Sequence, residues 1–114
     1  MPYAACCGRL HHGEAAPTAE SLMRSRYCAF AVGDETYLRL TWDRVTRPRR
    51  IGLDPAMVWT GLEILGSTRG GLLDDEGTVE FRAFHTAAHL GSGVLHENSA
   101  FRRADGRWVY VTAL

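Results

Sequence analysis

Apolar and polar positions divide this chain into stretches of different period. From Ala19 to Phe30 the apolar residues recur as on a helix. At about 100° per residue, Ala19, Leu22, Met23, Tyr27, Ala29 and Phe30 gather on one broad face, leaving Arg24, Ser25 and Cys28 on the other. Thr18 is a suitable N-cap, Glu20 places negative charge in the first turn, and Gly33 ends the helix. Asp34 can cap a second, short helix running to about Trp42, with Tyr37 and Leu40 as its apolar side. The stretch from Arg44 to Pro55 mixes prolines, a glycine and charges, and reads as loop or broken helix.

Beyond it the pattern alternates with period two. Val58 to Gly66, Thr78 to Ala88, Gly93 to Arg103 and Arg107 to Ala113 read as four strands. A turn at Arg69-Gly70-Gly71 and an acidic loop from Asp74 to Gly77 separate the first two strands. Ala104-Asp105-Gly106 is a tight-turn signal joining the last two. Helices followed by hairpin-connected strands predict an α+β fold. Met1 to Pro17, ahead of all this, holds a cysteine pair, a histidine pair and few helix or strand signals, and reads as an irregular arm.

Composition narrows the function classes. A chain of 114 residues fits one domain with one core. Its thirteen basic residues, all Arg, balance thirteen acidic ones, which argues against a broad electrostatic surface for nucleic acid or anionic membrane. No apolar run is long enough to cross a bilayer, and no basic-then-apolar leader opens the chain, so a cytoplasmic location is expected. Three cysteines, an odd number, do not outline a disulfide framework. The adjacent pair Cys6-Cys7 instead suggests metal ligation, with His11 and His12 as weaker additional donors. Four ligands within seven residues would crowd the backbone, so a complete zinc site needs further residues upstream or a second chain.

The candidate pocket chemistry centres on Arg26. Helical projection sets it among Leu22, Met23, Ala29 and Phe30, on the face that meets the sheet. A buried guanidinium needs a partner, and Glu97 is the expected carboxylate. In its strand Leu95, Glu97, Ser99 and Phe101 share one parity, so Glu97 and Ser99 would line a cavity if that parity faces inward. Glu97 would then act as general base or ligand clamp, and Arg26 would orient it or bind an anionic group. The competing reading is a buried ion pair that only fixes how helix and sheet pack.

Other candidates are weaker. His85 and His89 are four residues apart, but on a strand-to-turn segment where they do not share a face, and His96 points away from Glu97. Trp42, Trp59, Trp108 and Tyr110 are expected to serve packing. Arg47, Arg49 and Arg50 form a short basic cluster that could grip phosphate, though such loops are usually solvated. No phosphate-binding loop, dinucleotide fingerprint or nucleophile elbow occurs.

Several blocks together resemble the YchJ family: Tyr3 to Gly8, Ala16 to Tyr27, Thr46-Arg47-Pro48, Val79-Glu80-Phe81, Glu97-Asn98-Ser99 with Phe101, and Gly106 to Tyr110. The resemblance implies a nuclear-transport-factor-2-like cone, a curved antiparallel sheet wrapped around packed helices. It divides the chain into residues 1–16, a remnant of a SEC-C-like zinc-binding arm, and residues 17–114, the cone. Only the second half of the SEC-C pattern is matched, at Cys6 and Cys7; the leading C-x-C pair would lie before Met1, so zinc is expected in a longer form of the chain. The family match supplies no reaction. It leaves three readings: a zinc-associated adaptor without catalysis, which is preferred; a small-molecule pocket protein or enzyme using Glu97 and Arg26; and a nucleic-acid binder through Arg47, Arg49 and Arg50. A homodimer is expected only by analogy with the fold.

Overall fold

A computed structural model describes residues 15–54, 56–87 and 91–114. Helix α1 spans Ala19–Val32 and α2 spans Glu35–Leu40; strands follow at Met57–Arg69 (β1), Glu76–Ala87 (β2), Gly91–Ala104 (β3) and Arg107–Ala113 (β4). The strands form one antiparallel sheet in the order β1-β2-β3-β4. The helices pack on one face of it, which is the α+β architecture the sequence predicts.

Local chemistry sets the helix limits. Thr18 Oγ1 accepts from Ser21 N while Ser21 Oγ accepts from Thr18 N, closing a reciprocal capping box on α1. Gly33, at φ 77°, ends α1 in the left-handed region that favours a residue without Cβ. Asp34 then accepts from Tyr37 N and starts α2.

The register of the sheet slips at three places among the described residues. Irregularities fall between Trp59 and Gly61 and between Ile64 and Gly66 on β1, and another interrupts the β3–β4 pairing beside Phe101. Bulges of this kind increase local twist and bend a strand, here over α1. The core under the curve contains Leu22, Leu38, Val79, Phe81, Phe101 and Trp108, all nearly inaccessible to solvent. Gly70 receives the start of α1: its carbonyl accepts from Ala19 N at 2.9 Å, and a Cβ on it would meet Ala19 Cβ at 2.8 Å.

Three expectations need correction. Ser25, assigned to the outward side of α1, is 1% exposed because α1 is covered by α2 as well as by the sheet. Its hydroxyl donates to Leu22 O and shares a 2.7 Å hydrogen bond with Tyr37 OH. In α2 the buried partner of Tyr37 is Leu38, not Leu40, which is 71% exposed. A helix of six residues carries too few apolar positions to fix its rotational phase. Cys28 is disulfide-bonded, which the odd cysteine count argued against; an odd total still permits one pair.

Among the described residues no helix is long and apolar enough to cross a membrane.

Candidate functional site

The segment after α2 builds one wall of the site. It runs beside β4, where Tyr110 N donates to Thr41 O and Asp43 N donates to Tyr110 O, each at 2.8 Å. Trp42 thereby makes a parallel bridge to Tyr110, with the two rings edge to face at 4.9 Å between centroids. Asp43 anchors the arrangement: it is 4% exposed, bonds Arg102 Nε through Oδ2 and accepts from Val45 N through Oδ1. The Arg102 guanidinium and the Val45 N–H hold the Asp43 carboxyl below the usual carboxylate range.

Arg26 reaches into this wall from α1 and is 3% exposed. Its Nη1 donates to Leu38 O at 2.9 Å and to Thr41 Oγ1 at 2.7 Å. Leu38 O belongs to the last turn of α2, where unpaired carbonyls carry partial negative charge. The guanidinium carbon lies 5.0 Å from the Trp42 ring centroid and 4.8 Å from that of Tyr110, in cation–π range. Burial pushes the Arg26 pKa down to about 10, opposed by Tyr110, Tyr37 and Glu97, and the side chain stays cationic at neutral pH.

The expected Arg26–Glu97 ion pair is not formed: among the described residues no carboxylate lies within 4.0 Å of Arg26. A helix-end carbonyl, a hydroxyl and two aromatic faces hold the cation instead. Glu97 Oε2 accepts from Ser99 Oγ and, at 3.2 Å, from Tyr110 OH. Burial and the neighbouring Glu97 carboxylate push the Tyr110 phenol up to about 12, so it remains a donor at neutral pH.

Arg26, Glu97, Ser99 and Tyr110 all line one cavity of about 200 Å³ between α1 and the sheet. Its remaining surface is mostly apolar, though Trp42 carries a buried Nε1 that lacks a hydrogen-bond partner among the described residues. Met23, Tyr27 and Phe30 come from α1; Phe81, Ala83 and Leu95 come from the sheet. Trp42 and Trp59 complete the lining, Trp59 standing edge-on to Tyr27. Inward parity on β3 is what delivers Glu97 and Ser99 here, since Phe81 pairs with Glu97 and Val79 with Ser99. Trp42, Trp59 and Tyr110, which the sequence leads one to expect in packing, line the cavity as well; no periodicity marks an aromatic that faces a cavity.

The other candidates lie elsewhere. His96 is on the outer face of the sheet, bonded to Glu80 across β2 and β3 at 2.7 Å. His85 packs edge-on to Trp59, with a buried Nδ1 that lacks a hydrogen-bond partner. Arg47 turns back to donate to Arg39 O, and Arg39 donates to Arg49 O, while Arg49 and Arg50 are exposed. Cys6, Cys7, His11, His12 and His89 lie outside the described residues. Among the described residues no group of three or more His, Cys, Asp or Glu is placed to hold a metal ion.

Known proteins share this sequence and fold. A family model described as the YchJ middle NTF2-like domain matches residues 18–113. A UPF0225 protein of Streptomyces coelicolor is 57% identical over 109 residues, covering 95% of this chain and 84% of its own length. A UPF0225 protein of Corynebacterium glutamicum is 52% identical, covering 98% and 89%. The solution structure of a SEC-C motif containing protein from Rhodopseudomonas palustris superposes with a TM-score of 0.83 at 34% identity, covering 98% of this chain and 90% of that one. The crystal structure of a SEC-C motif containing protein from Psychrobacter arcticus gives 0.80 at 28% identity, covering 98% and 71%.

Proposed function

The chain belongs to the YchJ family, and from that premise we propose that its folded body is a small-molecule-binding domain whose ligand sits between α1 and the sheet. One observation carries the proposal. A buried guanidinium and a carboxylate line the same apolar cavity without being consumed by contact with each other. A purely structural pair would be expected to close into contact, because leaving both charges short of partners is costly. Pockets that combine apolar walls with a few convergent polar groups are the usual form of small-ligand sites. The volume suits a compact molecule: a cavity of about 150 Å³ holds benzene, so about 200 Å³ accepts a ring with a short head group.

Benzyl alcohol is a suitable first probe, followed by amide chemical shifts of the labelled chain. Saturable shifts are expected at residues on the cavity walls. Leu95→Trp, a substitution at a half-open lining position, is expected to fill the cavity and abolish them. Shifts that survive Leu95→Trp unchanged would refute the binding site, as would the absence of saturable shifts from every single-ring probe of this size.

A second reading concerns the arm. Two solved SEC-C motif containing proteins share this fold, which supports a zinc-associated adaptor role for a form of the chain carrying a complete set of ligands beside Cys6 and Cys7. Elemental analysis of an upstream-extended chain kept under reducing conditions, so that no cysteine is held in a disulfide, is expected to give zinc close to one per protein, lost in Cys6→Ser/Cys7→Ser; zinc at background level would dismiss that reading.

A further inference from the structure

We infer that the cavity selects a small neutral molecule whose head group offers both a carbonyl oxygen and an N–H, a primary carboxamide on an apolar body. This rests on the cavity being a binding site and names the chemistry it takes.

The unmet hydrogen-bonding capacity of the cavity walls selects the head group. A guanidinium has five N–H donors in a fixed fork. The two on Arg26 Nη1 are directed at Leu38 O and Thr41 Oγ1. Nε and Nη2 have no partner among the described residues, so three donors of a 3%-exposed cation are uncommitted. On the acid, Oε2 takes both the Ser99 and the Tyr110 hydrogen bonds. Glu97 Oε1 has no partner among the described residues. The cavity therefore presents an edge of donors and a single strong acceptor, set in mostly aromatic and aliphatic walls. Trp42, in the same lining, adds a buried indole N–H that has no partner among the described residues, a further donor that a ligand oxygen can meet.

Each alternative ligand class leaves one of these unmet. A hydrocarbon would strip water from the donors and from Oε1 and return nothing. A carboxylate would suit the Arg26 fork but bring a second negative charge into a small cavity already holding Glu97, where like charges interact strongly. An amine would satisfy Glu97 and be repelled by Arg26. A carboxamide places its oxygen toward Nε and Nη2 and an N–H toward Oε1, and adds no net charge to a site in which cation and carboxylate already balance. The anionic ligand expected from Arg26 alone gives way once Glu97 stands in the same cavity with an open oxygen.

The test compares benzamide, benzoate, benzyl alcohol and toluene on the full chain by amide chemical-shift titration, in the wild type and in Glu97→Gln. In the wild type benzamide is expected to bind about tenfold or more tightly than benzoate or toluene, the loss typical of one unmet charged hydrogen bond. Glu97→Gln removes the negative charge, so benzoate is expected to gain about tenfold while benzamide does not, shrinking the wild-type preference for benzamide by about that factor. Benzoate or toluene equal to or tighter than benzamide in the wild type would overturn the head-group assignment while leaving the cavity reading in place. If benzyl alcohol and the other three probes all fail to bind, the cavity reading falls as well. The wild-type ranking decides the matter even if Glu97→Gln proves unstable.

Discussion

Trp108→Ala is expected to lower the unfolding free energy by about 4 kcal/mol, the usual cost of emptying a large aromatic site in a close-packed core. Trp108 is 2% exposed and belongs to the main apolar cluster beneath the sheet. It also joins parts of the chain far apart in sequence. Its indole N–H donates to Pro17 O at 3.3 Å, immediately before the cap of α1, and the Arg103 guanidinium covers its ring at 4.7 Å. Alanine would leave a void, strand the Pro17 carbonyl and uncover Arg103. The surrounding strands cannot collapse into the space, because β4 is already fixed by β3 on one side and by Thr41 to Asp43 on the other. Urea unfolding followed by far-ultraviolet circular dichroism measures the loss directly. Trp108→Phe should recover more than half of it, since the volume is largely kept and only the hydrogen bond goes. A loss below about 1 kcal/mol for the alanine variant would contradict the packing described.

The second large effect concerns Arg26, where two substitutions separate architecture from ligand recognition. Arg26→Ala is expected to cost about 3 kcal/mol, from two hydrogen bonds to a charged donor and the contacts with two aromatic faces. Arg26→Met should cost much less, about 1 kcal/mol, because its long apolar side chain refills the space and relieves the burial of a cation that has no carboxylate in contact. Arg26→Met should nevertheless lose the preference for benzamide over toluene. A near-native methionine variant that still discriminates between those probes would remove Arg26 from ligand recognition. Equal and severe losses for both variants would make the cation a structural strut.

The sequence-based expectations succeed where the determinants are local or periodic. Thr18, Gly33 and Asp34 act as caps because the geometry of a helix end depends on a few adjacent residues. The Asp105-Gly106 turn, with φ of 52° and 79°, follows from the residue types that tolerate that conformation. Strand parity carried Glu97 and Ser99 inward. The partners of Arg26 were not legible in the same way. They arise because the chain leaving α2 runs along β4 and brings Thr41 and Trp42 to a side chain on α1, and nothing local to Arg26 encodes that path. The burial of Ser25 was missed for a related reason, since its solvent side is taken by Tyr37 from a different helix.

The slips in register on β1 have a consequence beyond curvature. The sheet ends at β1 on one side and β4 on the other, and the β4 margin is occupied by the Thr41 to Asp43 backbone. The β1 margin pairs with no further strand among the described residues, and such a border is a ready template for adding a foreign strand. Two interruptions within thirteen residues break the regular spacing of its outward amides and carbonyls, so an incoming strand would fall out of step after a few residues. The same kinks that let the sheet arch over the cavity therefore also guard its open rim against fibril-like stacking.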